Sequence, residues 1–342
     1  MNDDLFLNLT QTLDQVSTRV DDIFWSVKPN ILQMDPCDVF LPQSFFDFFV
    51  GDIRADYVNL IKGLDEDSLL TVGRIISRIQ KHRKEGSRHF WFSEFEREEL
   101  KKIYDLHSAS IFQLSNDCFA YNKYLLPCNI ISTTVFYYRH FVDLLEDKKT
   151  LKGKHIVDVG GFIGDSALIL SEYTEKQVHV FEPISNLNAM AKKTIEMNGL
   201  SNVILNQIAL GEKPGKVRMK ISGDTSCIKI NENLVEQELD EKHEDVFLTT
   251  LDDYVRQNNL EVGLIKVDVE GFEQPFLRGA IETIKTQRPA MLLSIYHNPS
   301  DFFHIKPLID SLGLGYQFKI RKPSDLNVLI DTCLICEVPN LC

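Results

Sequence analysis

The segment from Lys154 to Pro183 has the sequence KHIVDVGGFIGDSALILSEYTEKQVHVFEP. It starts with an apolar run at 155–159, passes through a turn with three glycines, and ends with a second apolar run at 178–181 and then Glu182. A short helix fits between the glycines and the second run. This order of strand, glycine turn, helix, strand and acid is typical of the ligand-binding half of a doubly wound α/β sheet.

Two features of this unit indicate the ligand. Glycines in the turn let a ligand approach the backbone closely, and a carboxylate at the tip of the next strand can accept hydrogen bonds from both ribose hydroxyls. Glu182 stands at that position. The unit therefore predicts a site for a nucleoside.

Departures from the dinucleotide-binding fingerprint indicate which nucleoside-containing ligand fits the site. Counted back from Gly164, G-x-G-x-x-G requires a glycine at 159, where the sequence has Val159. Asp165 follows at the N-terminus of the helix, where a carboxylate repels a diphosphate but suits a helix cap or a cationic ligand. Asp158 adds a second negative charge near the same crevice. S-adenosylmethionine, which has an adenosine, no phosphate, an ammonium and a sulfonium, fits better than NAD.

Composition limits the class of protein. The 342 residues, 44% of them hydrophobic, are enough for a sizeable core and for two domains. A formal net charge of −13 argues against nucleic acid or an anionic membrane as the main partner. The acidic start MNDDLFLNL and the lack of a long apolar run predict a cytoplasmic protein with no secretion signal and no membrane insertion.

Seven scattered cysteines do not form a disulfide framework. The single C-x-x-C, at Cys333 and Cys336, lies in an apolar run near the C-terminus that we predict to be a strand. Positions three apart in a strand point to opposite faces, so these thiols are not suited to share a metal. We interpret both as buried, reduced thiols.

The sequence divides into two predicted domains. Residues 1–148 show mostly helical patterns, whereas residues 149–342 alternate strands and helices, including one long helix predicted at about 274–286. Ser93 is predicted to begin a helix. An apolar stripe from Leu9 to Ile23 either packs onto the same chain or forms a homodimer interface. The aromatic segment at 135–140 is either a substrate wall or a packed interdomain surface.

Polar residues end three of the predicted strands. They are Asp158 before the glycines, Asp268 with Glu270 in KVDVEGFE, and Tyr296 with His297 in SIYHN. Ligands of open α/β sheets bind beyond the carboxyl ends of the strands, where strand order reverses. If the first, fourth and fifth strands of the C-terminal half are neighbours, these residues line one cleft.

Five motifs in register resemble the FkbM family of S-adenosylmethionine-dependent methyltransferases. They are DVGGFIGDSA at 158–167, FEP at 181–183, ALG at 209–211, IKVDVEGFE at 265–273 and SIYH at 294–297. The resemblance covers about 150–337. It implies a class I methyltransferase fold of the Rossmann-like α/β type, with a seven-stranded, mostly parallel sheet whose last strand is reversed, and usually O-methylation of a sugar or natural-product hydroxyl.

The resemblance also implies roles for individual residues. Asp158, Gly160, Gly161 and Gly164 would hold the methionine part of the cofactor, together with the adjacent Asp165. Glu182 would bind the ribose, and Ala209 and Leu210 would lie near the adenine. Ser226, in GDTSCI, resembles a serine-bearing stretch near the family's site, and we group it with Glu270 and Tyr296 as substrate residues.

Methyl transfer from a sulfonium is an in-line displacement in which an alcohol acceptor must lose its proton. His297 is a candidate general base, because an unperturbed imidazole has a pKa of about 6.5, near working pH. Asp268 is the alternative base, or it orients the acceptor or places the cofactor. The carboxylates of Asp268, Glu270 and Glu273 show no clear ligand geometry in the sequence, so we predict no metal site. The remaining alternatives are a non-catalytic cofactor-binding scaffold and an NAD-dependent oxidoreductase.

Overall fold

A computed structural model describes residues 43–85, 92–222, 225–227 and 242–339. The N-terminal part contains four helices: α1 (Gln43–Phe48), α2 (Arg54–Ile61), α3 (Glu66–Glu85) and α4 (Glu94–Leu106). As predicted, Ser93 begins α4. Its hydroxyl accepts from the backbone N–H of Glu96 while the Glu96 carboxylate accepts from the Ser93 N–H, which is a complete capping box.

The N-terminal part is less helical than we expected. A three-stranded antiparallel sheet follows α4 and is formed by β1 (Ile111–Ser115), β2 (Cys118–Tyr121) and β3 (Tyr124–Leu126). The sequence analysis missed these strands because they are short and β1 is largely exposed, so no apolar alternation marks it. A single-turn helix, α5 (Thr133–Phe136), then leads toward the main sheet.

The main sheet has seven strands, as the class I methyltransferase prediction required. Its first half contains β4 (His155–Val159), α6 (Asp165–Leu170), β5 (Val178–Phe181), α7 (Ser185–Met197) and β6 (Val203–Asn206). A separate four-stranded sheet comes next in the chain, formed by β7 (Ala209–Leu210), β8 (Gly215–Ser222), β9 (Thr225–Cys227) and β10 (Lys242–Thr249).

The second half of the main sheet completes the order of elements. It contains α8 (Leu251–Asn258), β11 (Val262–Val267), α9 (Glu273–Arg278), α10 (Ile281–Gln287), β12 (Ala290–Ser294), α11 (Pro299–Asp310), β13 (Gln317–Arg321) and β14 (Cys333–Glu337). The strand order is β13-β14-β12-β11-β4-β5-β6, and β14 runs antiparallel to both neighbours. The predicted α/β fold with a reversed last strand is confirmed.

The chemistry of the central strands explains this arrangement. All six residues of β11 and all four of β5 are buried, which is expected for parallel strands covered by helices on both faces. Beyond this, α3 packs on β13, and Phe45 and Phe49 join the same apolar core as Val267 and Leu293. The division into domains 1–148 and 149–342 stays a prediction.

Two local predictions have clear outcomes. The single helix expected at 274–286 is wrong, because the chain forms α9 and α10 on either side of Gly279. Gly279 packs closely on the Gly211 carbonyl oxygen, where an added Cβ would lie 1.9 Å away. Cys333 and Cys336 are free, buried thiols on opposite faces of β14, as predicted, since they pack in different apolar clusters.

Some expectations lie beyond what the structure describes. The Leu9–Ile23 stripe, on which the dimer interpretation rests, falls outside the described residues. None of the helices within the described ranges is long and apolar enough to cross a membrane.

Candidate functional site

A cavity of about 260 Å³ opens at the carboxyl ends of the central strands. Its floor is formed by the ends of β4, β5 and β11, represented by Val159, Phe181 and Lys266. β4 pairs in parallel with β5 on one side and with β11 on the other, and β11 pairs with β12. The first, fourth and fifth predicted strands, β4, β11 and β12, are therefore neighbours. The cavity lies where the strand order reverses, which is the usual ligand position in such sheets.

The turn after β4 lies directly against the end of β11. Gly160 has a φ of +81°, and a Cβ there would lie 1.8 Å from the carbonyl oxygen of Asp268. Only glycine fits this backbone and this contact. Gly160 also lines the cavity. The lack of a side chain therefore allows both the close contact with the neighbouring strand and the approach of a ligand to the backbone.

Asp158 forms contacts within the protein interior, with Ser166 and Lys266. Its side chain is fully buried, accepts a hydrogen bond from the Ser166 hydroxyl, and lies 3.1 Å from Nζ of Lys266. The same ammonium donates to the Gly160 carbonyl oxygen at 2.8 Å. Burial disfavours the charge of Lys266, but the carboxylates of Asp158, Asp268 and Asp165 outweigh it and raise the pKa of this lysine. Asp158 thus positions the glycine turn through Lys266, and it is not among the residues that line the cavity.

Glu182 follows β5 and is held by the backbone around it. Its two oxygens accept the N–H of Phe162 and the N–H of Ile184, each at 2.9 Å. Burial raises the pKa of Glu182 to about 7 despite these hydrogen bonds. Each carboxylate oxygen has a further lone pair, so Glu182 can still accept two hydroxyl hydrogen bonds from a ligand in the cavity.

Asp165 is the first residue of α6 and is buried at the cavity wall. Burial raises its pKa to about 6, against the attraction of Lys266. The Gly164 N-cap has no side chain to cap the helix, and Asp165 accepts only from the N–H of Ser166. A cationic group in the cavity would stabilise its ionised form.

The ends of β11 and β12 bring the remaining predicted residues together. Asp268 lines the cavity and accepts from the Tyr296 hydroxyl at 3.2 Å. Nε2 of His297 lies 3.3 Å from Oδ1 of Asp268 and 3.5 Å from Oε2 of Glu270, while Nδ1 lies 2.9 Å from Oε1 of Glu273. His297 is therefore enclosed by three carboxylates.

These carboxylates change the protonation of the histidine. Burial lowers the pKa of His297, but Glu273, Asp268 and Glu270 overcome it and raise the pKa to about 9. The ring is then protonated at neutral pH and has no free lone pair to accept a proton. Burial raises the pKa of Glu270 to about 7, so Glu270 is the residue of this group that titrates near neutrality.

The opposite wall of the cavity comes from the segment before the main sheet. Ser132, Thr134, Val135 and His140 line it, so part of the aromatic segment at 135–140 does form a cavity wall. The Thr134 hydroxyl donates to Asp331, whose pKa burial raises to about 6. This wall therefore presents hydroxyl groups and one further carboxylate.

Not every predicted residue reaches the cavity. Ala209 and Leu210 line it, at the edge formed by β7. Gly161 and Gly164 support the turn from behind, where added Cβ atoms would contact Val180 and Ala191. Ser226 lies in β9 and pairs with Ile221 of β8. Its substrate role stays a prediction.

Sequence reasoning missed Lys266, Asp331 and the Thr134 wall. A lysine within the otherwise apolar run GLIKVD was a readable signal, because lysine is rarely buried without a partner. Asp331 and Thr134 are 197 positions apart, so no local sequence pattern predicts their contact.

Comparisons with known proteins find similar methyltransferases. The methyltransferase FkbM domain matches residues 158–318. "Methyltransferase 1" from Beauveria bassiana is 26% identical over 222 residues, covering 59% of this chain and 88% of that protein. The crystal structure of methyltransferase FkbM from Methylobacillus flagellatus superposes with a TM-score of 0.53 at 18% identity, over 86% of this chain and 60% of the length of that protein.

Proposed function

We propose that this protein transfers a methyl group from S-adenosylmethionine to a hydroxyl group of a small molecule or glycan, because the methyltransferase FkbM domain matches residues 158–318. The observation that carries the proposal is the charge of the cavity. Among the residues that the structure describes, its lining includes five carboxyl groups, from Asp165, Glu182, Asp268, Glu270 and Asp331, and one ammonium, that of Lys266. Such a cavity favours a cationic ligand and disfavours a diphosphate.

The residues present fit this cofactor. Glu182 offers two free lone pairs toward the ribose hydroxyls, and Ala209, Leu210 and Leu187 offer an apolar surface for the adenine ring. Asp165 and the Gly160 turn would face the methionine part. When bound, the sulfonium supplies an electrophilic methyl group.

The acceptor half is formed by the ends of β11 and β12 and by the Thr134 wall. The acceptor oxygen forms a bond to the methyl carbon while the carbon–sulfur bond breaks, and the sulfur keeps the bonding electron pair. The acceptor proton leaves to Glu270, whose pKa of about 7 suits a base that works near neutral pH. Alignment of oxygen, carbon and sulfur can contribute about 7–11 kcal/mol to lowering the barrier.

His297 takes a different role from the base that the sequence suggested. A protonated ring cannot accept the acceptor proton, but it can hold Asp268 and Glu270 in place through its Nε2 side. Asp268, fixed by the Tyr296 hydroxyl as well, then orients the acceptor hydroxyl.

Calorimetric titration tests the donor half. We expect S-adenosylmethionine to bind with one site per chain and NAD to show no binding. Binding of NAD without S-adenosylmethionine would overturn the proposal.

An assay with a labelled methyl donor against cell extracts tests the acceptor half. We expect a labelled product that disappears with Asp268→Ala and persists with the exposed control Glu212→Gln. Cofactor binding with no labelled product from any extract would instead favour a cofactor-binding scaffold.

A further inference from the structure

The group of residues around His297 contains buried polar atoms that make no hydrogen bond. They are Oε2 of Glu273 and both ring nitrogens of His297, whose close contacts with Oε1 of Glu273 at 2.9 Å and Oδ1 of Asp268 at 3.3 Å lack hydrogen-bond geometry. The Glu273 side chain is fully buried and that of His297 is 8% exposed. A buried polar atom without a hydrogen bond is costly, so three such atoms on two adjacent buried side chains indicate that a further group belongs beside them.

The type of these atoms identifies that group as a cation. Oε1 of Glu273 accepts the N–H of Val269 at 2.9 Å and lies 2.9 Å from Nδ1 of His297, so Oε2 is the oxygen without a hydrogen bond. Asp268, Glu273 and His297 each offer one ligand atom, and these atoms lie within 4.8 Å of one another. When the ion displaces one ring proton of His297, two carboxylate oxygens and one imidazole nitrogen form a mixed oxygen and nitrogen donor set.

Neighbouring cations do not neutralise this cluster. Lys266 is engaged by Asp158 and by the Gly160 carbonyl. Glu270 adds a further carboxylate, 3.5 Å from Nε2 of His297, and Asp301 lies behind Glu273 and accepts from the Gln274 amide. Negative charge therefore exceeds positive charge around the three ligand atoms.

We propose that Asp268, Glu273 and His297 bind a divalent first-row metal ion at the acceptor end of the cavity. The imidazole suits Zn²⁺ and the two carboxylates suit Mn²⁺, whereas Mg²⁺ is usually bound through one or two carboxylates and keeps several waters. Three protein ligands leave coordination positions open, and Asp268 is the ligand that borders the cavity. This placement reverses our sequence-based expectation of no metal site.

The role of the ion rests on the proposed methyl transfer. A hydroxyl oxygen that coordinates a divalent cation loses its proton more readily, so the ion would assist the same proton transfer that Glu270 completes. The acceptor class then narrows to molecules with two adjacent oxygens, such as vicinal diols, because one oxygen can anchor on the ion while its neighbour is methylated.

Titration of Mn²⁺ alone into the full chain, stripped with a chelator, tests the site. The electron paramagnetic resonance signal of free Mn²⁺ reports the fraction bound. We expect one Mn²⁺ per chain and competition by Zn²⁺. Loss of a ligand in Asp268→Asn or Glu273→Gln should weaken binding by about 10–100-fold, while Glu212→Gln, on the exposed surface, should leave it unchanged.

The choice of variants distinguishes the loss of a metal ligand from the loss of folding. Glu273 is fully buried, whereas the Asp268 side chain is 29% exposed and its amide variant keeps the shape, so Asp268→Asn is the variant expected to stay folded. Circular dichroism checks this. No Mn²⁺ binding, or equal binding by Asp268→Asn and the native chain, overturns the proposal and leaves a proton on His297 as the occupant.

Calorimetry with S-adenosylmethionine on the same samples separates the two proposals. Cofactor binding without Mn²⁺ binding overturns the metal site and leaves the methyltransferase proposal intact. Mn²⁺ binding without cofactor binding overturns the methyltransferase proposal and leaves the metal site intact.

Discussion

Nζ of Lys266 lies 3.1 Å from Oδ1 of Asp158, and both side chains are almost fully buried beneath the glycine turn. Removing one partner of a buried ion pair leaves an uncompensated charge and costs about 3–5 kcal/mol. We therefore expect Lys266→Met to lower the free energy of unfolding by that amount, as measured by urea denaturation.

The double variant Asp158→Asn with Lys266→Met provides the control, because it removes both charges while keeping side-chain volume. We expect it to recover part of the lost stability. A single Lys266→Met variant as stable as the native chain would contradict a structural role for this pair.

The same pair illustrates what the sequence could and could not predict. The strands were predictable, since the apolar runs 155–159, 178–181 and 263–267 are continuous and bounded by glycines or acids. The family resemblance implied that Asp158 holds the methionine part of the cofactor, and in the structure its carboxylate faces Lys266 beneath the cavity. Its actual partner, Lys266, lies 108 positions away, and only the pairing of β4 with β11 brings them together.

Protonation was the least predictable property of the site. His297 was chosen as a base from its unperturbed pKa, but three carboxylates from two different segments surround it. Glu273 lies in the first turn of α9, a common place for a carboxylate, yet it also faces Nδ1 of that histidine. Such an environment depends on tertiary contacts that residue spacing does not contain.

The ribose role of Glu182 makes a prediction about binding. Glu182→Gln keeps the shape but replaces a charged acceptor, and hydrogen bonds to charged groups contribute about 1.5–3 kcal/mol each. We expect calorimetry to show affinity for S-adenosylmethionine weakened by about 10–100-fold. Glu196→Gln, on the exposed side of α7, should bind like the native chain. Equal affinities in both variants would remove Glu182 from the cofactor site.

Glu270 makes a prediction about the pH dependence of the rate. Its pKa of about 7 means that the deprotonated, base-competent form increases as pH rises through neutrality. We expect kcat/KM for the acceptor found with labelled donor to rise through about pH 7. Glu270→Gln should lower the rate by about 10²–10⁴-fold and abolish that rise. An unchanged profile in the variant would assign the base elsewhere.

His297 makes a prediction about stability in chelator-stripped protein. Its folded pKa of about 9 lies above the unfolded value of about 6.5, so the folded state binds the proton more tightly. The stabilisation is fully present below about pH 6.5 and is lost as pH rises through about 9. The stability difference between the native chain and His297→Asn, measured by denaturation, should therefore shrink across this range. A constant difference would show that Glu273, Asp268 and Glu270 do not hold the proton there.

Substitution of Gly160 tests whether cofactor binding by the glycine turn depends on the backbone at the end of β11. A Cβ at this position would meet the Asp268 carbonyl oxygen at 1.8 Å, on a backbone with a φ of +81°. Gly160→Ala must therefore displace either the turn or the end of β11. We expect a lower melting temperature and loss of S-adenosylmethionine binding together. Gly153→Ala, where an added Cβ has no atom within 4 Å, should change neither. If Gly160→Ala bound the cofactor like the native chain, the turn and the end of β11 would not form one unit.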